Sequence, residues 1–304
     1  MFLYIFIYNL GILEINLVCV SRDAVIYALG VGACGRNAVE KDELKYIYHE
    51  KGQQFVKQQL IKLIIGIFGF LTWLSRYRYD PHLLLHGQQY IEIYKPLPSN
   101  ASVNFDVLTI HFSGKAAIAE VEIRSYENDS GELLCMNRRL TAFLRGAGGF
   151  SKSSPPFSYS NYPKNQTTAV KIPETQPLTL YNYLILALLY MLSGDYNPLH
   201  ADPMVANVAG LSQPILHGLC TLGFAVRAIV KGICRGDPDL VKCISGRFLL
   251  HVYPGETLIT KMWLDGFRVI YQTKEKERNH QTVLSGFVDL HRLHKYSMEL
   301  IHVV

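Results

Sequence analysis

One succession of patterns occurs twice in this 304-residue chain, an apolar helix followed by four strands. In the first half, Val25, Ala28 and Leu29 recur at helical spacing directly after Ser21, a typical N-cap residue, and predict a helix over 22–29. In the second half, the apolar segment 218–231 is predicted to be a helix. The strands predicted after the two helices are rich in β-branched, aromatic or alternating apolar residues: 89–94, 103–110, 117–126 and 133–143, then 245–252, 257–265, 267–276 and 282–290. The repetition predicts a duplicated α+β fold.

A stretch without periodicity separates the two repeats. Residues 146–166 are rich in Gly, Ser, Pro and Asn, a composition that is typical of a linker. We therefore predict an N-terminal half at residues 1–150, a linker at 151–176 and a C-terminal half at 177–304.

The composition excludes several classes of protein. Hydrophobic residues make up 49% of the chain and the formal net charge is +5, so the chain can bury a large core. Lys and Arg are scattered, which predicts no nucleic-acid partner but allows an anionic small ligand. The apolar stretch 60–74 contains Lys62 and is shorter than the roughly 20 residues that a bilayer requires, so no stable membrane insertion is expected. The six cysteines lack metal-type spacing and are predicted to be reduced.

The stretch SGDYNPLHADP, residues 193–203, places an acid and an imidazole close together. Asp195 and His200 are five positions apart, and Asn197-Pro198 disfavours regular helix, so a turn must fold the two side chains toward each other. A carboxylate and an imidazole that hold one water between them form a general acid/base pair.

Two other interpretations of this stretch stay open from the spacing alone. In the first, Asp195 caps a turn and His200 is a structural loop histidine. In the second, a metal ion is bound, although no HExxH-like pattern supports it. The candidate ligands for such an ion are Asp195, His200, Asp202 and His217.

A second loop, PILHGLCTLGFA at residues 214–225, leads into the predicted helix that begins at Gly218. The first amides of a helix have no intrahelical partner and carry the positive end of its dipole. An exposed amide at Gly218 can stabilise an oxyanion, because a glycine lets a carbonyl oxygen approach the backbone closely. The alternative is a glycine that packs against a strand at the start of a helix.

The motifs YxLSGDYNPLHADP and PILHGLCTLGFA together resemble the signature of the hydratase 2 family, the MaoC-like (R)-specific enoyl-CoA hydratases. The similarity extends over most of the chain, including RDAVIYALGVGACGRNAVEKDELKYIYHE, LLLHGQQYIEIYKPLP and SGRFLLHVYPGETLITKMW. The resemblance implies a double hot-dog fold, in which two antiparallel sheets are each wrapped around a central helix.

The resemblance also implies an activity, the reversible addition of water to a trans-2-enoyl-CoA in fatty acid beta-oxidation, which gives the (3R)-3-hydroxyacyl-CoA. In such enzymes the aspartate and histidine of GDxNPxH activate the water, which assigns those roles to Asp195 and His200. Asn197 then orients the water, and the Gly218 amide donates to the thioester oxygen. Neither a metal nor an organic cofactor is expected.

Further residues match family positions that contact the acyl-CoA. His86 and Gly87 match the HG step, and Phe248 is expected to line the site. Lys115 is the substitute for a family lysine near the CoA, because Ser113 occupies the expected position. The remaining matches belong to the catalytic loop: Tyr196, Pro198 and Leu199.

Some features depart from the family pattern. Residues 1–20, 55–78 and 178–186 differ from the segments expected there. Relatives imply a homodimer and a peroxisomal location, but the chain ends His302-Val303-Val304 instead of a Ser-Lys-Leu-like tripeptide, so the location rests on resemblance alone.

Two rival functions come from other classes. A non-catalytic acyl-CoA-binding hot-dog protein is one, although the intact Asp195, Asn197, His200 and Gly218 argue against it. A nucleotide-binding oxidoreductase is the other, because Gly30, Gly32 and Gly35 form a GxGxxG pattern. That pattern follows a predicted helix where a dinucleotide site requires a strand, so the glycines are interpreted as a helix end.

Overall fold

The computed structural model describes ten parts of the chain: residues 4–7, 13–19, 21–35, 41–48, 84–95, 101–112, 118–127, 129–144, 170–183 and 187–293. Predictions for residues 55–78 and 60–74, for Lys115 and for most of the linker fall outside these parts. Within them, no helix combines the length and the hydropathy that a membrane span requires.

The described residues of the first half form six strands and two short helices. Strands β1 and β2 come first, and the helices α1 and α2 separate them from four further strands, which lie in the order β4-β5-β6-β3. The bounds are β1 Tyr4–Ile7, β2 Leu13–Cys19, α1 Ser21–Gly30, α2 Lys41–Leu44, β3 Leu84–Ile93, β4 Ala101–Phe112, β5 Ile118–Glu127 and β6 Leu133–Leu144. The predicted helix and the four predicted strands of this half are confirmed, with bounds that shift by a few residues.

The second half repeats the order of a helix followed by four strands. Its elements are β7 Leu178–Tyr183, α3 Ala187–Met191, a 3-10 turn at Pro198–His200, α4 Pro203–Val208, α5 Gly218–Gly232, a 3-10 turn at Pro238–Leu240, β8 Val241–Phe248, β9 Thr257–Asp265, β10 Arg268–Glu275 and β11 Thr282–Leu290. The predicted strand at residues 245–252 instead runs from Val241 to Phe248, and the predicted helix and the other three strands are confirmed.

The two halves join edge to edge. The described strands form one continuous sheet, in which neighbouring strands pair antiparallel. Their order across the sheet is β1-β2-β4-β5-β6-β3-β8-β11-β10-β9-β7. The pairing of β3 with β8, in which Ile91 lies opposite Ile244, is the junction. The two predicted sheets are therefore the two wings of a single sheet.

Helix α5 occupies the centre of this arrangement. Residues 219–226 are buried on every side of the helix, as expected of a helix enclosed by a sheet. The helix contacts strands β7 to β11 and shares one hydrophobic core with Ile91, Ile123 and Leu140 of the first half. Packing of α5 against the sheet thus fixes where its N-terminus lies.

The glycine pattern near residue 30 belongs to a helix end. Gly30 is the last residue of α1, and Gly32 follows with a φ of +83°, a conformation that glycine adopts readily. Because α1 precedes the glycines where a dinucleotide site requires a strand, the structure does not support the oxidoreductase interpretation.

Candidate active site

The loop between α3 and α4 folds Asp195 and His200 toward the same point. The Asp195 carboxylate accepts a hydrogen bond from the Asn197 amide at 3.2 Å, and the Asn197 side chain accepts one from the Leu199 amide at 3.0 Å. Pro198 then begins the 3-10 turn that ends at His200. The predicted turn is confirmed: Asn197 caps the 3-10 turn, and Asp195 holds the Asn197 amide directly before it, so this structural role and proximity to His200 are compatible.

Three side chains converge at this point. One carboxylate oxygen of Asp195, one ring nitrogen of His200 and one ring nitrogen of His217 all lie within 4.8 Å of one another. Hydrogen bonds to a water oxygen have donor–acceptor distances of about 2.8 Å, so two groups at this separation can hold one water between them. The arrangement meets the geometric requirement of a general acid/base pair.

The hydrogen bonds of His200 fix which nitrogen can act as a base. Its Nδ1 lies 2.8 Å from the carbonyl oxygen of Ile215, and because a carbonyl only accepts, Nδ1 carries the proton. The neutral ring then keeps its lone pair on Nε2, which is free to accept a proton from a water.

The sequence predicts His217 only as a candidate metal ligand, and the structure gives it a further role. Its Nε2 donates to the backbone carbonyl of Asp195 at 3.0 Å and lies 3.7 Å from the carboxylate. Its ring stacks on His200, with ring centroids 3.6 Å apart. The side chain is 3% exposed, so it holds the catalytic loop from inside the protein. Its position next to Gly218 in PILHG was the available signal.

Burial opposes charge on all three groups. Desolvation raises the pKa of Asp195, although the nearby His200 and the Asn197 amide act in the opposite direction. Desolvation lowers the pKa of His200, against the effect of Asp195. For His217, burial and then the neighbouring His200 lower the pKa well below the usual range. The pKa values of the acid and the imidazole are shifted toward each other, which favours proton exchange between them and a shared water.

In the described part of the chain, these three side chains are the one group of three or more potential ligands that lie close enough together to hold a metal ion. Two observations make them a poor metal site. The Nδ1 of His200 and the Nε2 of His217 are both used on backbone carbonyls. The two rings are stacked, with an angle of 27° between their planes, so their lone pairs run side by side instead of converging on one ion.

Gly218 begins α5 beside these residues. His217 occupies the N-cap position and makes no side-chain capping hydrogen bond, so the first amides of the helix keep their donors. A Cβ at Gly218 would lie 3.3 Å from the Phe248 ring, which is a tight contact. The N-terminus of a 15-residue helix therefore presents backbone donors and a positive dipole to the site.

A pocket of about 310 Å³ opens in front of this cluster. Its polar lining includes Asp195, Asn197 and His200, and its apolar lining comes from both halves of the chain. His86 and Phe248 both line it, with ring centroids 4.8 Å apart. His86 donates from Nε2 to the Gln88 carbonyl at 3.0 Å, and burial lowers its pKa to about 4, so the ring is neutral near pH 7.

The other predicted contact residues are not among the described residues that line the pocket. Gly87 is buried in β3, where a Cβ would collide with the Phe143 ring at 2.2 Å. Leu199 is fully buried and packs with Ala209 and Ile215, whereas Tyr196 is 59% exposed. Contact with a ligand stays a prediction for these residues, for Pro198 and for Lys115, which lies outside the described residues.

Comparison with known proteins gives the family. A model of the MaoC-like domain matches residues 165–284, and a model of the MFE-2 hydratase 2 N-terminal domain matches residues 19–146. The chain is 61% identical over 283 residues to peroxisomal enoyl-CoA hydratase 2 of Arabidopsis thaliana, covering 90% of each sequence. The chain belongs to the MaoC-like hydratase 2 family. The resemblance in the sequence motifs is thereby confirmed.

Solved structures agree with this hydratase 2 assignment. Full-length peroxisomal multifunctional enzyme type 2 of Drosophila melanogaster matches with a TM-score of 0.73 and 31% identity over 92% of this chain. The chain spans 48% of that larger protein. A Mycobacterium tuberculosis protein described as a double hotdog fold matches with a TM-score of 0.59 at 11% identity, covering 90% of this chain and 93% of its own. The predicted double hot-dog fold is confirmed.

Proposed function

We propose that this hydratase 2 family member is an (R)-specific enoyl-CoA hydratase, a hydro-lyase of fatty acid beta-oxidation. It reversibly adds water to a trans-2-enoyl-CoA and gives the (3R)-3-hydroxyacyl-CoA. One observation carries the proposal beyond family membership: the Asp195 carboxylate and a His200 ring nitrogen lie within 4.8 Å of each other in a pocket that the N-terminus of α5 also reaches. This arrangement supplies the base and the oxyanion donor that hydration of a conjugated thioester requires.

The proposed mechanism starts at the thioester oxygen. The Gly218 amide donates a hydrogen bond to that oxygen, and the positive end of the α5 dipole favours the negative charge that develops there. Withdrawal of electrons toward the oxygen makes the β-carbon electrophilic. Loss of such a donor typically costs about 3 to 4 kcal/mol of transition-state stabilisation.

Asp195 and His200 act on the water. Nε2 of His200 and the Asp195 carboxylate accept its hydrogen bonds, and the oxygen attacks the β-carbon as one proton is taken up. A proton delivered from the pair to the α-carbon completes the addition, so the elements of one water are added and the enzyme returns to its starting state. Asn197 holds the loop that orients the water.

The remaining substrate contacts are assigned by the family motifs. His86 and Phe248 border the acyl thioester, and Gly87, Tyr196, Pro198, Leu199 and Lys115 complete the acyl-CoA site. We assign no metal or organic cofactor to the reaction, because the proton transfers need none. Residues 1–150 form the acyl-binding half, 151–176 the linker and 177–304 the catalytic half.

The assembly and the location of the protein are also proposals. We propose a homodimer, by similarity to relatives, and a peroxisomal location. The location is supported by the Arabidopsis relative, whose name includes the word peroxisomal.

The proposal is tested by incubating the purified chain with trans-2-enoyl-CoA substrates and following the loss of the conjugated absorbance. Chiral analysis of the product should give the (3R)-hydroxyacyl-CoA, and no nicotinamide should be consumed. Tight acyl-CoA binding without turnover would instead indicate the non-catalytic acyl-CoA-binding protein.

A further inference from the structure

His217 connects the two loops that the proposed mechanism uses. Its Nε2 donates to the backbone carbonyl of Asp195 at 3.0 Å, although the two residues are 22 positions apart. His217 also directly precedes Gly218, the first residue of α5. One side chain therefore joins the loop proposed to activate the water to the helix start proposed to bind the thioester oxygen.

The ring of His217 also restricts the ring of His200. The two ring centroids are 3.6 Å apart and the ring planes are inclined by 27°, so the faces are in van der Waals contact. This contact limits tilting of the His200 imidazole. The hydrogen bond from Nδ1 of His200 to the Ile215 carbonyl, at 2.8 Å, limits its rotation. Together the two contacts determine where Nε2 of His200 points.

A second ring supports His217 from within the core. Tyr190 of α3 is fully buried, and its ring centroid lies 5.1 Å from that of His217. Tyr190 in turn packs against Tyr27 of α1, with ring centroids 5.8 Å apart. Both separations are typical of packed aromatic pairs. The His217 ring is therefore held by the core on one side of the loop and contacts His200 within it.

The packing of α1 against Tyr190 depends on Gly30, the last residue of α1. A Cβ at this position would lie 3.1 Å from the Tyr190 Cα, which is a tight contact with main-chain atoms. A larger residue would therefore push α3 away from α1. The first glycine of the GxGxxG pattern thus contributes to the packing behind His217.

His217 is held in the neutral form. Burial, and then the neighbouring His200, lower its pKa well below the usual range. A neutral imidazole has one N–H, and the Asp195 carbonyl accepts it. Two positive rings in contact would repel each other, whereas a neutral His217 adds no charge beside His200. His200 can thus take up a proton during the proposed reaction while His217 keeps its hydrogen bond.

We infer that His217 is a positioning residue: its ring holds the His200 imidazole and its Nε2–H holds the Asp195 backbone, so that both side chains face one water. The inference rests on the proposed hydratase function. Misplacing a reacting group by about 1 Å can slow a reaction about 100-fold. His217 also borders the pocket, so direct contact with the substrate is the alternative role that the test must separate.

Three variants of residue 217 separate the ring from the donor. His217→Phe keeps an aromatic face and removes the donor, His217→Gln keeps an amide donor and removes the ring, and His217→Leu removes both. We expect kcat for hydration of a trans-2-enoyl-CoA to fall about 100-fold in His217→Leu and about tenfold in the other two. The dissociation constant of butanoyl-CoA, measured by calorimetric titration, should change less than about threefold in all three, because positioning acts on the transition state.

Tyr271→Phe is the matched control. It removes a hydrogen bond of the same kind, from a buried side chain to a backbone carbonyl, which the Tyr271 hydroxyl makes to Ser245 at 2.8 Å. Tyr271 is not among the described residues that line the pocket. The urea midpoint of unfolding should fall in this variant as in the His217 variants. Its kcat should stay within about twofold of the parent, since no group of the proposed reaction moves.

Three results would overturn the inference: a kcat of His217→Leu within about threefold of the parent, a similar loss of kcat in Tyr271→Phe, or a loss of butanoyl-CoA affinity as large as the loss of kcat. If His217→Leu does not fold, the Phe and Gln variants decide, because each must lose kcat and keep its affinity. A parent chain without hydration activity would overturn the proposed function and this inference together. An active parent with an equally active His217→Leu variant would overturn this inference alone.

Discussion

The two halves of this hydratase 2 family member share a fold but differ in what they contribute to the pocket. The second half supplies the polar groups, because Asp195, His200 and the start of α5 all belong to it. From the first half come apolar side chains such as Leu140 and Phe143, together with His86, whose ring is held neutral by burial. In the proposed function, one copy of the fold therefore carries the chemistry while the other shapes the space in which the substrate lies.

The largest effect is expected in the catalytic loop of the second half. Asp195→Asn keeps the size of the side chain and removes its charge and its ability to take a proton, so kcat should fall by about a thousandfold or more. Binding of a saturated acyl-CoA should change little. The measurement is steady-state hydration together with calorimetric titration of butanoyl-CoA.

Asp202→Asn provides the matched control for that variant. Asp202 lies seven positions away and caps α4, where its side chain accepts from the Met204 amide at 2.8 Å. Asn caps helices as well as Asp does, so both activity and stability should stay near those of the parent. Equal loss of activity in the two variants would mean that the loop is merely sensitive to charge.

A smaller effect on turnover is expected at the helix start. Gly218→Ala places a methyl group 3.3 Å from the Phe248 ring, at the helix start where the proposed mechanism requires the thioester oxygen to bind. We expect kcat/KM to fall about 10- to 100-fold, less than the roughly 100- to 1000-fold that complete loss of an oxyanion donor costs, because alanine keeps the backbone N–H and hinders only the approach to it. Gly210→Ala, at a glycine with no atom within 4 Å of its Cβ position, is the control for an added methyl group; the φ of +76° there should cost about 1 kcal/mol of stability, but activity should be retained. Full activity of Gly218→Ala would show that the thioester oxygen does not use the space that the added methyl group fills.

In the first half, replacing His86 should change the pH dependence of the free energy of unfolding more than it changes turnover. Burial lowers the pKa of His86 to about 4, whereas an unfolded histidine titrates near pH 6.5. Between these values the unfolded chain binds the extra proton, so stability should decrease as the pH falls from about 6.5 to about 4, by at most about 3 kcal/mol from this residue. His86→Phe should flatten this slope in urea unfolding measured across that pH range. An unchanged slope would show that His86 is solvated and protonated in the folded state.

The smallest effect is expected at Phe143, whose ring is 39% exposed at the wall of the pocket. Phe143→Ala should raise KM several-fold and leave kcat nearly unchanged, because it removes apolar contact made equally in the ground and transition states. A large fall in kcat would mean that the first half takes part in the chemical step and does not only shape the pocket.

Local patterns in the sequence predicted the local parts of this structure. The strand at residues 282–290 has the predicted bounds, because a run of alternating and branched residues between turns determines a strand by itself. Likewise, Asn197-Pro198 determined the turn that folds Asp195 toward His200.

The features that the sequence did not predict depend on contacts between residues far apart in the chain. The hydrogen bond from His217 to the Asp195 carbonyl joins residues 22 positions apart, and nothing in the local pattern fixes it. The pairing of β3 with β8 brings His86 against Phe248, and it depends on how two whole sheets meet.

In the proposed mechanism, Asp195 and His200 act together on one water. A double-mutant cycle of Asp195→Asn and His200→Gln, measured as kcat for hydration of a trans-2-enoyl-CoA, shows whether they do. If both side chains serve the same water, the double variant should be about as slow as the slower single variant, because residues that act as a unit are not additive. Multiplication of the two single effects would contradict a shared water.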